Sequence, residues 1–181
     1  NKTISKSSKK YWSTKYKTNN FKHSTDTDLI NLLENKIINS VGLQMNADVS
    51  TGSFLSGGID SSLISSVMSK ISDKKINTFT IGFENQEYDE SKYAKNIANF
   101  LGSKHHYHLF KPQEVISIID RLDTVYDEPF ADSSQLPTLL LSQFASKYIK
   151  VALSGDGADE LFGGYNRYKY INLIHNLSSK I

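Results

Sequence analysis

The sequence contains no cysteine. Disulfides, cysteine-based metal sites and thiol nucleophiles are therefore excluded within this chain. It also lacks any apolar run near the roughly 18 residues that a membrane-spanning helix needs, so we expect no membrane segment. The chain begins with Asn1 and not with Met, and we interpret it as a segment of a longer protein.

Acidic residues are absent from the first 25 positions, which carry seven lysines. The remainder has 14 basic and 19 acidic residues, a balance of −5, so the overall charge of +2 describes neither part. A basic segment beside an acidic body is weak support for nucleic-acid binding, and we expect no nucleic-acid partner. Residues 1–24, rich in Lys, Ser, Thr and Asn, are interpreted as a solvated linker or tail.

The remaining sequence has the composition of a folded domain. Hydrophobic residues make up 38% of the 181 residues, with ten Tyr and nine Phe, which is enough for a core. Thr25 and Asp28 form a capping-box-like start for a helix in which Leu29, Leu33 and Ile37 recur every four residues. We therefore predict one domain over residues 25–181.

Strands and helices alternate along this domain, which predicts a parallel sheet with helices on both faces. The predicted strands are 53–55, 76–83, 104–110 and 151–153, and the predicted helices include 63–71, 90–101, 112 to about 126, 136–148 and 158–162. Ligands of such sheets bind at the carboxyl ends of the strands. Two glycine-rich segments follow strands and should lie there.

The first glycine-rich segment reads SGGIDSS over residues 56–62. Glycines let the backbone approach an anion closely, and the free N–H groups of a helix start favour phosphate. Asp60 would repel phosphate unless a cation lies between them, which indicates a polyphosphate bound with Mg²⁺. The GK[ST] ending of a Walker A loop is absent. The alternative is a simple Gly-Gly turn in which Asp60 or Ser61 caps the helix.

The second segment reads SGDGADELFGGY over residues 154–165. Its three acids, Asp156, Asp159 and Glu160, lie within five residues directly after a strand. Such a cluster can hold a cation and transfer protons. The alternative is a solvated acidic loop that caps a short helix.

These segments resemble those of one family. SGGIDSS is similar to the PP-loop of ATP pyrophosphatases, and SGDGADELFGGY is similar to the signature of the synthetase domain of asparagine synthetases. Weaker matches in the same order are YDEPFADSS at 126–134, TIGF at 80–83, the His105-His106 pair and the Tyr11-Trp12 pair. The resemblance covers the chain from Tyr11 to Tyr168, and it implies the adenine-nucleotide α-hydrolase-like (PP-loop) fold.

The resemblance also implies roles for individual residues. The pyrophosphate of ATP would contact Ser56, Gly57, Gly58, Asp60 and Ser61. The adenosine would be surrounded by Phe54, Leu55, Ile81, Ser154 and Gly155. Mg²⁺ would be reached by Asp60 and Asp159, and the catalytic residues would be Asp156 and Asp159. Asp156 stands where some family members have Glu, and it would act on the acceptor substrate or on the proton of ammonia.

The implied reaction is ATP-dependent amidation of a carboxylate through an acyl-adenylate. The resemblance favours conversion of aspartate to asparagine in the cytoplasm, with ammonia from a glutaminase domain that precedes residues 1–24, and it allows a homodimer. Family members also use a lysine well downstream of the second segment, and Lys169 and Lys180 lie too near that segment to be its counterpart. We therefore expect a C-terminally truncated synthetase domain that is inactive alone.

Two alternatives stay open. One is a related enzyme that amidates a sugar acid or a peptide precursor, because the second segment does not separate these acceptors from aspartate. The other is a non-catalytic nucleotide-binding module. A tRNA-thiolating PP-loop enzyme is disfavoured because such enzymes need cysteine.

Overall fold

The structure is a computed structural model in which residues 7–11, 13, 24–84, 90–128, 131–168 and 170–171 are described. The chain forms two compact units, Asn1–Lys36 and Ile37–Ile181. Most of the predicted linker lies outside the described residues, as do Trp12, Pro129, Phe130, Lys169 and Lys180.

Helices and strands alternate along the described chain. In order they are α1 (Asp26–Met45), β1 (Thr51–Phe54), α2 (Ile59–Ile71), β2 (Asn77–Phe83), α3 (Ser91–Leu101), β3 (Lys104–Phe110), α4 (Pro112–Ile119), α5 (Leu122–Val125), α6 (Gln135–Ala145), β4 (Val151–Leu153) and α7 (Ala158–Phe162). None of the helices in the described part of the chain combines the length and the apolarity needed to cross a membrane.

The start of α1 confirms the predicted capping arrangement. The backbone N–H of Asp28 donates to Thr25 Oγ1 at 3.2 Å, and the backbone N–H of Thr25 donates to Asp28 Oδ2 at 3.0 Å. These bonds satisfy N–H groups that have no partner inside the helix. The Thr25 hydroxyl also donates to Asp28 Oδ2 at 2.7 Å, and this bond, together with the one from the Thr25 backbone N–H, holds the pKa of the Asp28 carboxyl below its ordinary value.

The four strands form one parallel sheet in the order β3-β2-β1-β4. Ser53 of β1 is aligned with Thr78 of β2 on one side and with Leu153 of β4 on the other. The carboxyl ends of β1, β2 and β4 therefore point to the same edge of the sheet. This arrangement confirms the predicted parallel sheet.

Side chains alternate between the two faces of the sheet, and helices cover both. On one face, Phe79 is fully buried and packs with Leu140 and Phe144 of α6 and with Ile118 of α4. On the other face, α2 and α3 bury small and apolar side chains, which include Met68, Ala94 and Ala98. The prediction of helices on both faces is thus confirmed.

Buried threonines stand on the α3 side of β2, where the sequence pattern alone does not show how they are satisfied. Thr80 Oγ1 donates to the carbonyl of Leu55 at 2.5 Å, and Thr78 Oγ1 lies 2.9 Å from Ser103 Oγ and 3.0 Å from His105 Nδ1. A buried hydroxyl without a partner is costly. These hydrogen bonds therefore connect β2 to Leu55, directly after β1, and to Ser103 and His105 at the start of β3.

Some predicted boundaries are wrong. The predicted helix from 112 to about 126 is two helices, α4 and α5, because the N–H of Arg121 bonds the carbonyl of Ile118 three residues back and interrupts the α pattern. The helix predicted to reach residue 148 ends at Ala145 and continues as a turn. The first strand is Thr51–Phe54, and the side chain of Leu55 follows it into the core.

The sheet core predicts a measurable stability loss. Replacing Phe79 with Ala removes a fully buried ring that contacts the rings of His106, Phe144 and Tyr148. We expect the free energy of unfolding in urea to fall by about 3–5 kcal/mol. Phe100→Ala is the matched control, since Phe100 is 89% exposed, and it should stay within about 0.5 kcal/mol of the parent. Similar losses in both variants would contradict this account of the core.

Candidate functional site

The loop after β1 turns sharply at Gly57. Gly57 has φ 93°, a left-handed conformation that favours glycine. A β-carbon there would lie 2.7 Å from Tyr93 Cβ and 2.8 Å from the backbone nitrogen of Ala94. The backbone of this loop therefore passes directly against the start of α3, where only glycine fits.

The next helix begins without a side-chain cap. Gly58 is the N-cap residue of α2, in an extended conformation, and no side chain caps this end. The alternative in which Asp60 or Ser61 caps the helix is therefore wrong, because the helix already begins at Ile59. First-turn N–H groups without a capping partner, together with the helix dipole, attract anions.

Serine hydroxyls surround this helix start. Ser56 Oγ and Ser61 Oγ lie 2.9 Å apart, and Ser56 Oγ accepts from the backbone N–H of Gly58 at 3.2 Å. The hydroxyl of Ser62 donates to the carbonyl of Gly58 at 2.5 Å. The hydroxyls thus fix the conformation of the loop next to the uncapped end, where Ser56 is exposed and Ser61 and Ser62 are half-buried.

The loop after β4 presents acidic side chains at the same edge of the sheet. The Ser154 hydroxyl donates to Asp156 Oδ2 at 2.9 Å. Further along, Gly164 lies so close to the Asp159 carboxylate that a β-carbon on Gly164 would overlap Oδ1. Gly164 also donates its backbone N–H to the carbonyl of Asp159 at 3.0 Å. Gly164 therefore packs directly against Asp159 and limits where its carboxylate can lie.

Tyr165 fixes the neighbouring acid. Its hydroxyl donates to Glu160 Oε1 at 2.9 Å, and the guanidinium of Arg167 lies 4.1 Å from the centre of the Tyr165 ring. The hydrogen bond to Glu160 raises the pKa of the Tyr165 phenol. The side chains of Glu160 and Tyr165 line the same cavity, which lies over the two loops.

The two loops touch at Gly155. A β-carbon on Gly155 would lie 2.8 Å from Asp60 Cβ and 2.8 Å from the backbone nitrogen of Ser61. This close approach follows from the pairing of β1 with β4, whose ends lie side by side. Residues almost 100 positions apart in sequence therefore meet over the first turn of α2.

A cavity of about 440 Å³ lies over this junction. Its volume is in the range of about 300–1,000 Å³ that is usual for small-molecule sites. Among the predicted site residues, those that line it are Phe54, Leu55, Ser56, Asp60, Ser61, Ile81, Ser154, Gly155, Asp156 and Asp159. Gly57 and Gly58 do not line it. Asp60 and Asp159, the two residues predicted to reach Mg²⁺, thus line one cavity.

Sequence reasoning missed part of the lining. The additional lining residues are Thr80, Phe83, Glu90, Pro137, Thr138, Leu141, Gly157, Glu160 and Tyr165. Phe83 shares a sheet face with Ile81 and could have been found from the alternation of β2. Residues 137, 138 and 141 carried no signal, because only the packing of α6 on the sheet brings them to the cavity.

The charged side chains described in the cavity wall are all acidic: Asp60, Glu90, Asp156, Asp159 and Glu160. No described Lys, Arg or His lines it. Within the described ranges, no group of three or more acidic or histidine side chains is arranged to hold a metal by itself. A polyanion in this cavity therefore needs cations to offset repulsion.

Comparison with known proteins identifies close relatives. The family profile of asparagine synthase matches residues 32–181. Putative asparagine synthetase (glutamine-hydrolyzing) 2 of Methanocaldococcus jannaschii is 45% identical over 130 residues, which are 71% of this chain and 25% of that protein. Asparagine synthetase (glutamine-hydrolyzing) 1 of Bacillus subtilis is 40% identical over 152 residues, 83% of this chain and 24% of that protein. The chain thus spans about a quarter of the length of these relatives.

Solved structures of similar fold include two other synthetases. NH3-dependent NAD synthetase from Campylobacter jejuni has a TM-score of 0.51 at 14% identity and covers 75% of this chain and 60% of its own. NMN synthetase from Francisella tularensis has a TM-score of 0.53 at 19% identity, with 75% and 58% covered. At these identities the similarity concerns the fold alone, and it confirms the predicted PP-loop fold.

The close contact at Gly155 predicts that adding one methyl group at this position lowers the stability of the fold. Gly155→Ala would force the second loop away from the backbone at Asp60 and Ser61, and overpacking of this kind costs about 1–3 kcal/mol in the free energy of unfolding. The control is Gly42→Ala, whose β-carbon would meet only Ile71 Cδ1 at 3.6 Å and should be neutral or stabilising by about 0.5–1 kcal/mol. Urea unfolding of both variants measures the difference. An unchanged stability of Gly155→Ala would mean that the loops are not in contact.

Proposed function

Because this chain belongs to the asparagine synthase family, we propose that it supplies the nucleotide site of an enzyme that uses ATP to convert a carboxylate into an amide. The observation that carries this proposal is the junction at Gly155. An uncapped helix start and two carboxylates border one cavity there: Asp60 in the first turn of α2 and Asp159 in the first turn of α7.

In this proposal the α2 end of the cavity binds the phosphates of ATP. The first-turn N–H groups of α2 have no side-chain cap, so they are free to donate to phosphate oxygens. The hydroxyls of Ser56 and Ser61 line the cavity beside them. Gly57 and Gly58 contribute through the shape of the backbone, which brings the chain to the phosphates without side chains.

The adenosine is proposed to bind against the sheet. Phe54 and Ile81 are half-buried on the face covered by α6 and line the cavity. They offer an apolar surface for a base. The side chain of Leu55 is 1% exposed and belongs to the core, so Leu55 contributes its backbone. Ser154 and Gly155 also line the cavity.

Mg²⁺ fits the acidic wall. Protein sites for this ion use one or two carboxylates together with substrate phosphates, and Asp60 and Asp159 border the same cavity. When bound, Mg²⁺ would offset the charge of the phosphates and stabilise the departing pyrophosphate. The close backing of Asp159 by Gly164 keeps the Asp159 carboxylate in a defined place.

The proposed chemistry has two steps. The carboxylate of the acceptor attacks the α-phosphorus of ATP, which forms an acyl-adenylate and releases pyrophosphate. Ammonia then attacks the acyl carbon, and AMP leaves as the amide forms. The Asp156 carboxylate, oriented by the Ser154 hydroxyl at 2.9 Å, is available to accept a proton from the attacking ammonia. The N–H groups of α2 hold charge that develops on the pyrophosphate.

The names of the relatives suggest the substrates. They are named asparagine synthetases that hydrolyse glutamine, and we propose aspartate as the acceptor and glutamine as the source of ammonia. Glutamine hydrolysis would belong to a further domain of the intact enzyme, acting in the cytoplasm. This sequence has no cysteine that could serve as a thiol nucleophile for that step.

Gly58→Val tests the phosphate site. Gly58 has φ −71° and ψ 165°, a conformation that valine adopts readily, and its nearest neighbour for a β-carbon is Ser56 Oγ at 3.3 Å. The variant should therefore fold, whereas its branched side chain obstructs the uncapped helix end. We expect MgATP affinity, measured by calorimetry, to fall at least about tenfold, or 1.4 kcal/mol. Gly42→Ala is the control, and equal affinity in Gly58→Val and the parent would count decisively against the phosphate site.

The purified chain alone should bind MgATP but turn over slowly. The described cavity wall contains no cationic side chain that could stabilise the transition state, and loss of one such group commonly costs on the order of 10²–10³ in rate. The measurement supplies MgATP, aspartate and ammonium and follows pyrophosphate and asparagine; glutamine alone should give no ammonia. Turnover at a rate normal for an enzyme would show that the 181 residues contain a complete site.

A further inference from the structure

A second cavity of about 240 Å³ lies between α4, α6 and β3. It shares no described lining residue with the proposed nucleotide cavity. β3 is the last strand at one edge of the described sheet, so this cavity opens beside that edge.

The floor of the second cavity is apolar and partly aromatic. Phe110, Ile118, Leu140 and Phe144 are all at most 9% exposed and belong to the sheet core. The ring of His108 lies 4.4 Å from that of Phe110 and 5.5 Å from that of Phe144. Three neighbouring rings favour a flat aromatic guest, which can pack edge-to-face or offset against them.

The rim of the cavity carries two cations. Neither Arg121 nor Lys147 has an ion pair among the described residues. The acid on the rim, Glu114, is already engaged: Oε2 accepts the backbone N–H of Lys111 at 2.9 Å, and Oε1 lies 3.4 Å from His108 Nε2. The rim therefore has an excess of positive charge above an apolar floor.

We propose that this cavity is a binding site for a small aromatic carboxylate. The ring of the ligand packs on the aromatic floor, and its carboxylate pairs with Arg121 and Lys147. A planar guanidinium suits a carboxylate because it can donate two parallel hydrogen bonds. The site is independent of the proposed nucleotide site, and its test involves neither ATP nor turnover.

Three probes that each carry a benzyl group separate the contribution of the ring to binding from that of the charge. Phenylacetate is anionic, benzyl alcohol is neutral and benzylamine is cationic. The methyl resonances of Ile118 and Leu140 report binding directly, because both side chains line the cavity. We expect phenylacetate at millimolar concentration to shift these resonances, benzyl alcohol to bind more weakly and benzylamine to bind weakest.

Charge-removing variants complete the test. The double variant Arg121→Gln, Lys147→Gln should weaken phenylacetate binding at least about tenfold and leave benzyl alcohol binding unchanged. Both side chains are exposed, so the fold should persist, which the parent-like methyl spectrum verifies. Lys150→Gln removes an exposed cation that lines neither cavity and should have no effect. Equal affinity for the three probes, no shift with phenylacetate, or parent-like binding by the double variant would overturn the proposal.

Discussion

The parallel pairing of β1 with β4 is the contact on which the candidate site depends. It aligns Ser53 with Leu153, so the two loops that follow leave the sheet side by side. Gly155 can then pack against the first turn of α2, where a β-carbon would collide with the backbone of Ser61. Without this pairing, the segments that carry Asp60 and Asp159 would not be held next to one cavity.

Electrostatics sets the second requirement of the site. Every charged side chain described in the cavity wall is acidic, yet the proposed ligand is a polyphosphate. The uncapped start of α2 and a bound divalent cation would offset the repulsion. An acidic wall of this kind disfavours a free anion and favours a nucleotide that arrives with its metal, which agrees with the proposed use of MgATP.

Helix α6 lines both the proposed nucleotide cavity and the second cavity. Thr138 and Leu141 face the proposed nucleotide cavity, while Leu140 and Phe144 form part of the floor of the second. The same helix buries Phe79 and so holds one face of the sheet. Its packing therefore shapes both sites, although its sequence, QLPTLLLSQFA, shows only an apolar helix.

The sequence by itself determined the alternation of strands and helices, the parallel sheet and the two glycine-rich loops, because periodicity and glycine position are local properties. The resemblance of the two glycine-rich segments to one family also singled out Asp60 and Asp159, which both line the same cavity. It missed the break at Arg121, because the helical spacing of apolar residues continues across that position. It missed the contribution of Thr138, because only the packing of α6 on the sheet brings that residue to the cavity. The meeting of the loops at Gly155 and the volume of the cavity were decided only by tertiary structure, since both arise from which strands pair and how α6 packs on them.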